Sequence, residues 1–174
     1  MADTPRIERL ELSVGGLSRP HLMSRLTSRG VLLNAHAKTL LEEAVFDKQT
    51  MRAVVVTERS VAGLGLPEGA TLPEILEVAQ EQGLLLCPAD TGPYMRLALM
   101  EQATSPDSVM SSGSAPTGAL TVAAEPLSED NDYPKGFYLR VVNGRPWLRG
   151  YRCDNEHTWS PGDRFVFRLP PQSV

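Results

Sequence analysis

The chain is poor in the residues that staple, anchor or catalyse. It has two cysteines in 174 residues, Cys87 and Cys153, which lie 66 positions apart. That is not the density of a secreted disulfide framework, and both are expected to be free, buried thiols. No run of 18 or more apolar residues is present, so a membrane-spanning helix is not expected. The N-terminus MADTPRIERLELSVGG lacks the basic, apolar and small-residue layout of a secretory leader. These absences lead to the expectation of a soluble cytoplasmic protein. Catalytic signatures are missing too: no G-x-S-x-G, H-E-x-x-H, P-loop or dinucleotide G-x-G-x-x-G occurs. Gly63-Leu64-Gly65-Leu66 comes nearest to the last, but it lacks the third glycine and a strand immediately before it.

Lysine is scarce as well, three residues (Lys38, Lys48, Lys135) against fourteen arginines. Charge is also unevenly distributed. Residues 1–30 carry roughly +2, residues 31–134 roughly −10 and residues 135–174 roughly +4. With a net charge of −4, the chain is a poor candidate for duplex nucleic acid, because affinity for a phosphate backbone needs many neutralising contacts. The asymmetry leaves homo-oligomerisation open, the basic tail of one copy meeting the acidic middle of another.

What is present reads as one α+β domain over residues 1–174, large enough to bury a core without staples. Ser18 caps a short helix that Gly30 stops, and Asn34 caps a second in which Ala37, Leu40, Leu41, Ala44 and Val45 share a face. These two helices are expected to pair. Met51 to Glu58 is β-branched and short, as a buried strand would be. Thr71 and Glu74 form a capping box at the start of a third helix that ends at Gly83. Leu84 to Cys87 is a strand candidate. Tyr94 to Met100 alternates like a strand, with a helix as the other possibility. Residues 101–118, rich in Ser, Pro, Ala and Gly, read as a flexible insertion, and Leu120, Val122 and Ala124 as a further strand.

The tail from Gly136 to Leu169 carries the densest signal. Asn143-Gly144 between GFYLRVV and RPWLRGY is a type I′ hairpin turn, since both positions tolerate positive φ. Ser160-Pro161-Gly162-Asp163 turns the chain into RFVFRL, where Phe165 and Phe167 share a face. Helices come first and strands later, an order that predicts α+β: an N-terminal helical pair and one further helix on a mixed, mainly antiparallel sheet ending in a hairpin.

Together the blocks NAHAKTLLEEAVF, LPEGATLPEILEVAQEQGLLLCPADTGPYMRL and GFYLRVVNGRPWLRGYRCDNEHTWSPGDRFVF resemble a family of small bacterial proteins to which no biochemical role attaches. The resemblance covers about two thirds of the chain. It implies a bacterial single-domain protein whose insertion varies, and it transfers no catalytic residue, ligand or partner.

Two constellations in the tail are chemically interesting. Cys153-Asp154-Asn155-Glu156-His157 places a thiol, two carboxylates and an imidazole in five residues. Cys153 and His157 give a C-x₃-H pair with no second pair of metal ligands, so no metal and no cofactor are expected. A small hydrolase or transferase would use His157 as acid/base with Cys153 or Asp154 as its companion. On the second hairpin strand Trp147, Arg149 and Tyr151 share a face, joined across the strands by Tyr138 and, if its segment lies alongside, by Arg96. Guanidinium groups grip carboxylates or phosphates while rings stack, so this face suits an acidic protein partner or a small anionic ligand. Single-stranded RNA is the alternative, read by stacking on the same rings. The pocket version of the first two readings expects one concave site joining Arg96, Arg149, Tyr151 and His157. His21 and His36 fall on the first two helices, where a solvated or cap-region role is the simpler one.

Overall fold

In a computed structural model the chain is described over residues 7–47, 50–99, 104–105 and 119–171. In chain order the elements are β1 (Leu10–Val14), α1 (Arg19–Ser28), β2 (Leu32–Leu33), α2 (Ala35–Leu41), β3 (Arg52–Ser60), β4 (Ala70–Thr71) and α3 (Leu72–Glu81). They continue with α4 (Thr91–Ala98), β5 (Thr104–Ser105), β6 (Leu120–Val122), β7 (Gly136–Val142), β8 (Arg145–Tyr151), β9 (Thr158–Trp159) and β10 (Arg164–Arg168). One sheet runs in the order β1-β3-β10-β6-β7-β8-β2, with β5 added to β7, and β4 pairs separately with β9. Most pairs are antiparallel; β10 with β6, β2 with β8 and β5 with β7 are parallel. The architecture is therefore α+β, as the segregated order predicts.

The local signals act as their chemistry requires. Ser18 and Asn34 accept the amides of His21 and Ala37 at their helix starts, and Thr71 and Glu74 form the reciprocal capping box of α3. At the hairpin, Asn143 and Gly144 adopt φ +51° and +76°, the left-handed pair that a type I′ turn needs. Most of the insertion predicted for 101–118 lies outside the described residues, apart from Thr104–Ser105, which pair with Val141 and Val142.

Strand parity separates two cores. Leu12, Val54, Val56, Val166, Leu139 and Leu148 point to the face covered by α1, α2 and α4. Phe165, Phe167, Tyr138 and Tyr151 point to the opposite face, under α3 and Trp159. β10 is thus buried on both sides, and Val166, between the two phenylalanines and on the other face, is as fully buried as they are. The first two helices do not chiefly pack as a pair: α2 lies against β8, β7 and β2, and α1 meets α4.

Two strand readings change. Tyr94 to Met100 belongs largely to α4, which begins at Thr91 and takes Pro93 in its first turn, where a missing amide hydrogen costs nothing. Every residue from Thr91 to Arg96 is buried, so this helix carries no apolar stripe to betray its period. Leu84 to Cys87 makes only two isolated bridges, Leu85 with Arg168 and Cys87 with Ala124.

Candidate functional site

β7 and β8 place Tyr138 opposite Arg149 and Arg140 opposite Trp147, so the shared face expected from parity exists. Its two ends differ. At the Tyr end, Tyr138 and Tyr151 lie 6.5 Å apart, and Tyr151 meets Trp159 edge-on at 5.6 Å. Both tyrosines are buried in the α3-side core. Burial pushes the Tyr151 phenol well above its ordinary pKa. At the other end the Arg149 guanidinium lies 4.2 Å from the centre of the Trp147 ring. Both residues are half-buried, and Arg145 beside them is exposed. Parity located the face, but the α3-side core claims Tyr138 and Tyr151 from it. Of the three rings expected there, Trp147 is the one that is not buried.

Arg96 sits elsewhere. It is fully buried in α4, whose Tyr94 and Met95 belong to the other core. Its guanidinium donates to the main-chain oxygens of Arg140 (3.3 Å), Trp147 (3.2 Å) and Leu99. Loss of hydration lowers its pKa to about 10. Arg96 therefore touches the hairpin through its backbone and ties α4 to it. The concave site expected to join Arg96, Arg149, Tyr151 and His157 does not form, since Arg96 works from the α4 side of the sheet and Tyr151 is core.

The turn after β8 is held by its own polar atoms. The Asp154 carboxylate accepts the amides of Glu156 (2.9 Å) and His157 (2.8 Å), which closes the turn. The Cys153 thiol donates to the Asp154 carbonyl at 3.2 Å. Burial raises its pKa, and the neighbouring Asp154 charge adds to that. A nucleophilic cysteine needs the reverse environment. His157 packs edge-on against Trp159 at 5.5 Å, and its Nε2 is buried without a hydrogen-bond partner among the described residues. Cys87 belongs to the opposite core from Cys153, so it is no remote third ligand for a Cys153–His157 pair. Of the other histidines, His21 is exposed. His36 is half-buried, with its pKa lowered by burial and by Arg152.

Two features had no sequence signal. Lys135, 7% exposed, reaches toward the carbonyl oxygens of Ser128 and Glu129 at 3.5 Å each, beneath the acidic loop before β7. Arg52 donates to Asp90 at 2.6 Å, and the second carboxylate oxygen of Asp90 has no partner among the described residues. Nothing in the spacing of positions 52 and 90 announces that pair.

Fold and site together define an α+β protein with helices on both faces of its sheet, presenting a Trp/Arg hairpin end and no assembled nucleophile and base among the described residues. Among those residues no helix is long and apolar enough to cross a membrane. Compared with family models, curated proteins and solved structures, the chain matches none.

Proposed function

We propose that the chain is a non-catalytic binding module of the bacterial cytoplasm, akin to the family of small bacterial proteins that its sequence blocks resemble. It receives an acidic protein segment, or a small anionic ligand, at the Trp147–Arg149 end of the hairpin. One observation carries this reading: a half-buried guanidinium stacked on a half-buried indole at 4.2 Å, with Arg145 exposed next to it. The stacked pair shields one side of the site, and the exposed Arg145 beside it offers a planar guanidinium fork to a carboxylate. The acidic segment could also come from a second copy, whose loop Glu125 to Asp132 carries four carboxylates.

The test is a titration with an oligo-glutamate peptide followed by indole fluorescence. Trp159 is fully buried and Trp147 is not, so a change at the surface belongs to Trp147. The change is expected to disappear in Trp147→Phe, and affinity is expected to fall about ten-fold in Arg145→Gln/Arg149→Gln. Equal binding by that double variant would overturn the reading. Size-exclusion across salt concentrations tests the second-copy variant, which requires association to weaken as salt rises.

A further inference from the structure

Between the loop that follows β1, the C-terminal end of α1 and the last turn of α4 lies a cleft of about 460 Å³, within the size range of small-molecule sites. It shares no lining residue with the hairpin face. Its floor depends on two consecutive glycines. Gly15 and Gly16 have φ of +93° and +95°, and a Cβ on Gly15 would stand 2.4 Å from the carbonyl oxygen of Thr50. The chain thus turns flat against the approach to β3 and leaves the space above it open.

Just beyond the glycines, the Leu17 amide donates to the Tyr94 hydroxyl at 3.3 Å. That bond occupies a lone pair and leaves the phenolic proton to donate. Among the described residues no acceptor takes it, although Tyr94 is only 8% exposed and lines the cleft. Arg25 and Arg29 line the same space from α1, and neither forms an ion pair among the described residues. A single carboxylate, Glu11, opposes them, so the lining is positive by one charge. Apart from Ser13 and the two glycines the rest is apolar and includes Leu12, Leu97 and Met51, the last 65% exposed.

We propose that this cleft binds a small carboxylic acid with an apolar body. The carboxylate lies between Arg25, Arg29 and the Tyr94 hydroxyl, and the body covers Leu97 and Met51. One net positive charge matches a monoanion, whereas Glu11 works against a doubly charged phosphate. An apolar body also gives Met51 the cover that it lacks.

The experiment is a ¹⁵N–¹H spectral titration of the full chain with sodium octanoate, and separately with inorganic phosphate. Saturable shifts are expected at the Gly15, Gly16 and Leu17 amides with octanoate, and at most weak ones with phosphate. Arg25→Gln/Arg29→Gln is expected to weaken octanoate binding about ten-fold or more, and Tyr94→Phe by about five-fold. Both arginines are exposed, so the double variant keeps the test decisive should Tyr94→Phe fail to fold. Phosphate binding as tight as octanoate binding, unchanged octanoate affinity in the double variant, or no saturable shift at these amides would each overturn the proposal.

Discussion

Asn34 is the point at which the helical layer is fastened to the hairpin, and its replacement by alanine tests that reading. Its Oδ1 accepts the Ala37 amide at 2.9 Å, capping α2, and also the Gly150 amide at 2.9 Å. Its Nδ2 donates to the Gly150 carbonyl at 3.0 Å. The side-chain amide thus continues the parallel pairing in which Leu32 and Leu33 meet Trp147 and Leu148. Losing an N-cap costs about 0.5–2 kcal/mol. Leaving buried main-chain groups of Gly150 without partners costs about 1–3 kcal/mol more. Because the bonds share one side chain, the two figures do not simply add, and we expect Asn34→Ala to lose about 2–4 kcal/mol. In a domain of this size that is a fall in Tm of about 5–15 °C. Urea unfolding should show a lower midpoint with an unchanged slope, and hydrogen exchange should quicken at the Gly150 and Ala37 amides. Asn34→Asp keeps both accepted bonds but sets a charge against the Gly150 carbonyl, so it should fall between wild type and alanine. An alanine variant within about 0.5 kcal/mol of wild type would refute the reasoning. So would an aspartate variant as stable as wild type, because the donor to Gly150 would then contribute nothing.

Glycine substitutions grade the packing around the same layer. A Cβ on Gly150 would stand 2.7 Å from the His36 carbonyl carbon and 2.9 Å from the Ala37 nitrogen. Both are backbone atoms, so Gly150→Ala must part α2 from β8, at about 3 kcal/mol. A Cβ on Gly92 would meet the Phe137 side chain at 2.7–2.8 Å, and Gly92→Ala is expected to cost about 1–3 kcal/mol. Gly144 has open space around it, and its left-handed φ makes alanine cost only about 1 kcal/mol. If chemical unfolding ranks Gly150→Ala no worse than Gly144→Ala, the close approach of α2 is wrong. Alkaline pH probes the core independently. Burial raises the Cys87 thiol from its ordinary 9.0 to about 12, so the folded state favours the protonated form. Its contribution is complete below pH 9.0 and is lost as pH rises through about 12. Stability measured from pH 9 to 11 should therefore decline less steeply in Cys87→Ala than in wild type, and equal slopes would count against a buried thiol.

Much of the fold was legible where chemistry is local. Ser18, Asn34, Thr71 with Glu74, and Asn143-Gly144 each solve a backbone problem within three or four residues, and each does so in the structure. Alternation also named the correct shared face for Trp147, Arg149 and Tyr151. It could not say what lies over that face. The cover on Tyr151 is Trp159, and the core around both includes Ile75 and Ala79 of α3, more than seventy positions away. α4 escaped for a related reason: six consecutive buried residues, Thr91 to Arg96, leave no periodicity by which a helix is read. Arg96, charged and beside a tyrosine, resembled a surface group because a buried guanidinium shows itself only through the carbonyls around it, and those belong to β7, β8 and the end of α4.

That inward use of arginine bears on how strongly a partner could be held. The tail is the most basic stretch of the chain, yet several of its cations are already engaged. Arg164 pairs with the buried Glu58, Arg140 is fully buried, and Lys135 nearly so. Arg96 further shows why lysine would not serve inside: a single ammonium on a flexible stem cannot address three carbonyls from two strands and a helix end as a planar fork does. The cations exposed at the hairpin surface are Arg145 and Arg152, while Arg149 is half-buried against Trp147. Affinity for an acidic segment should therefore fall with salt as two or three contacts would dictate, not as seven. A salt dependence as steep as the full count of basic residues in the tail would mean that the interior arginines are released on binding, and that the sheet opens to do it.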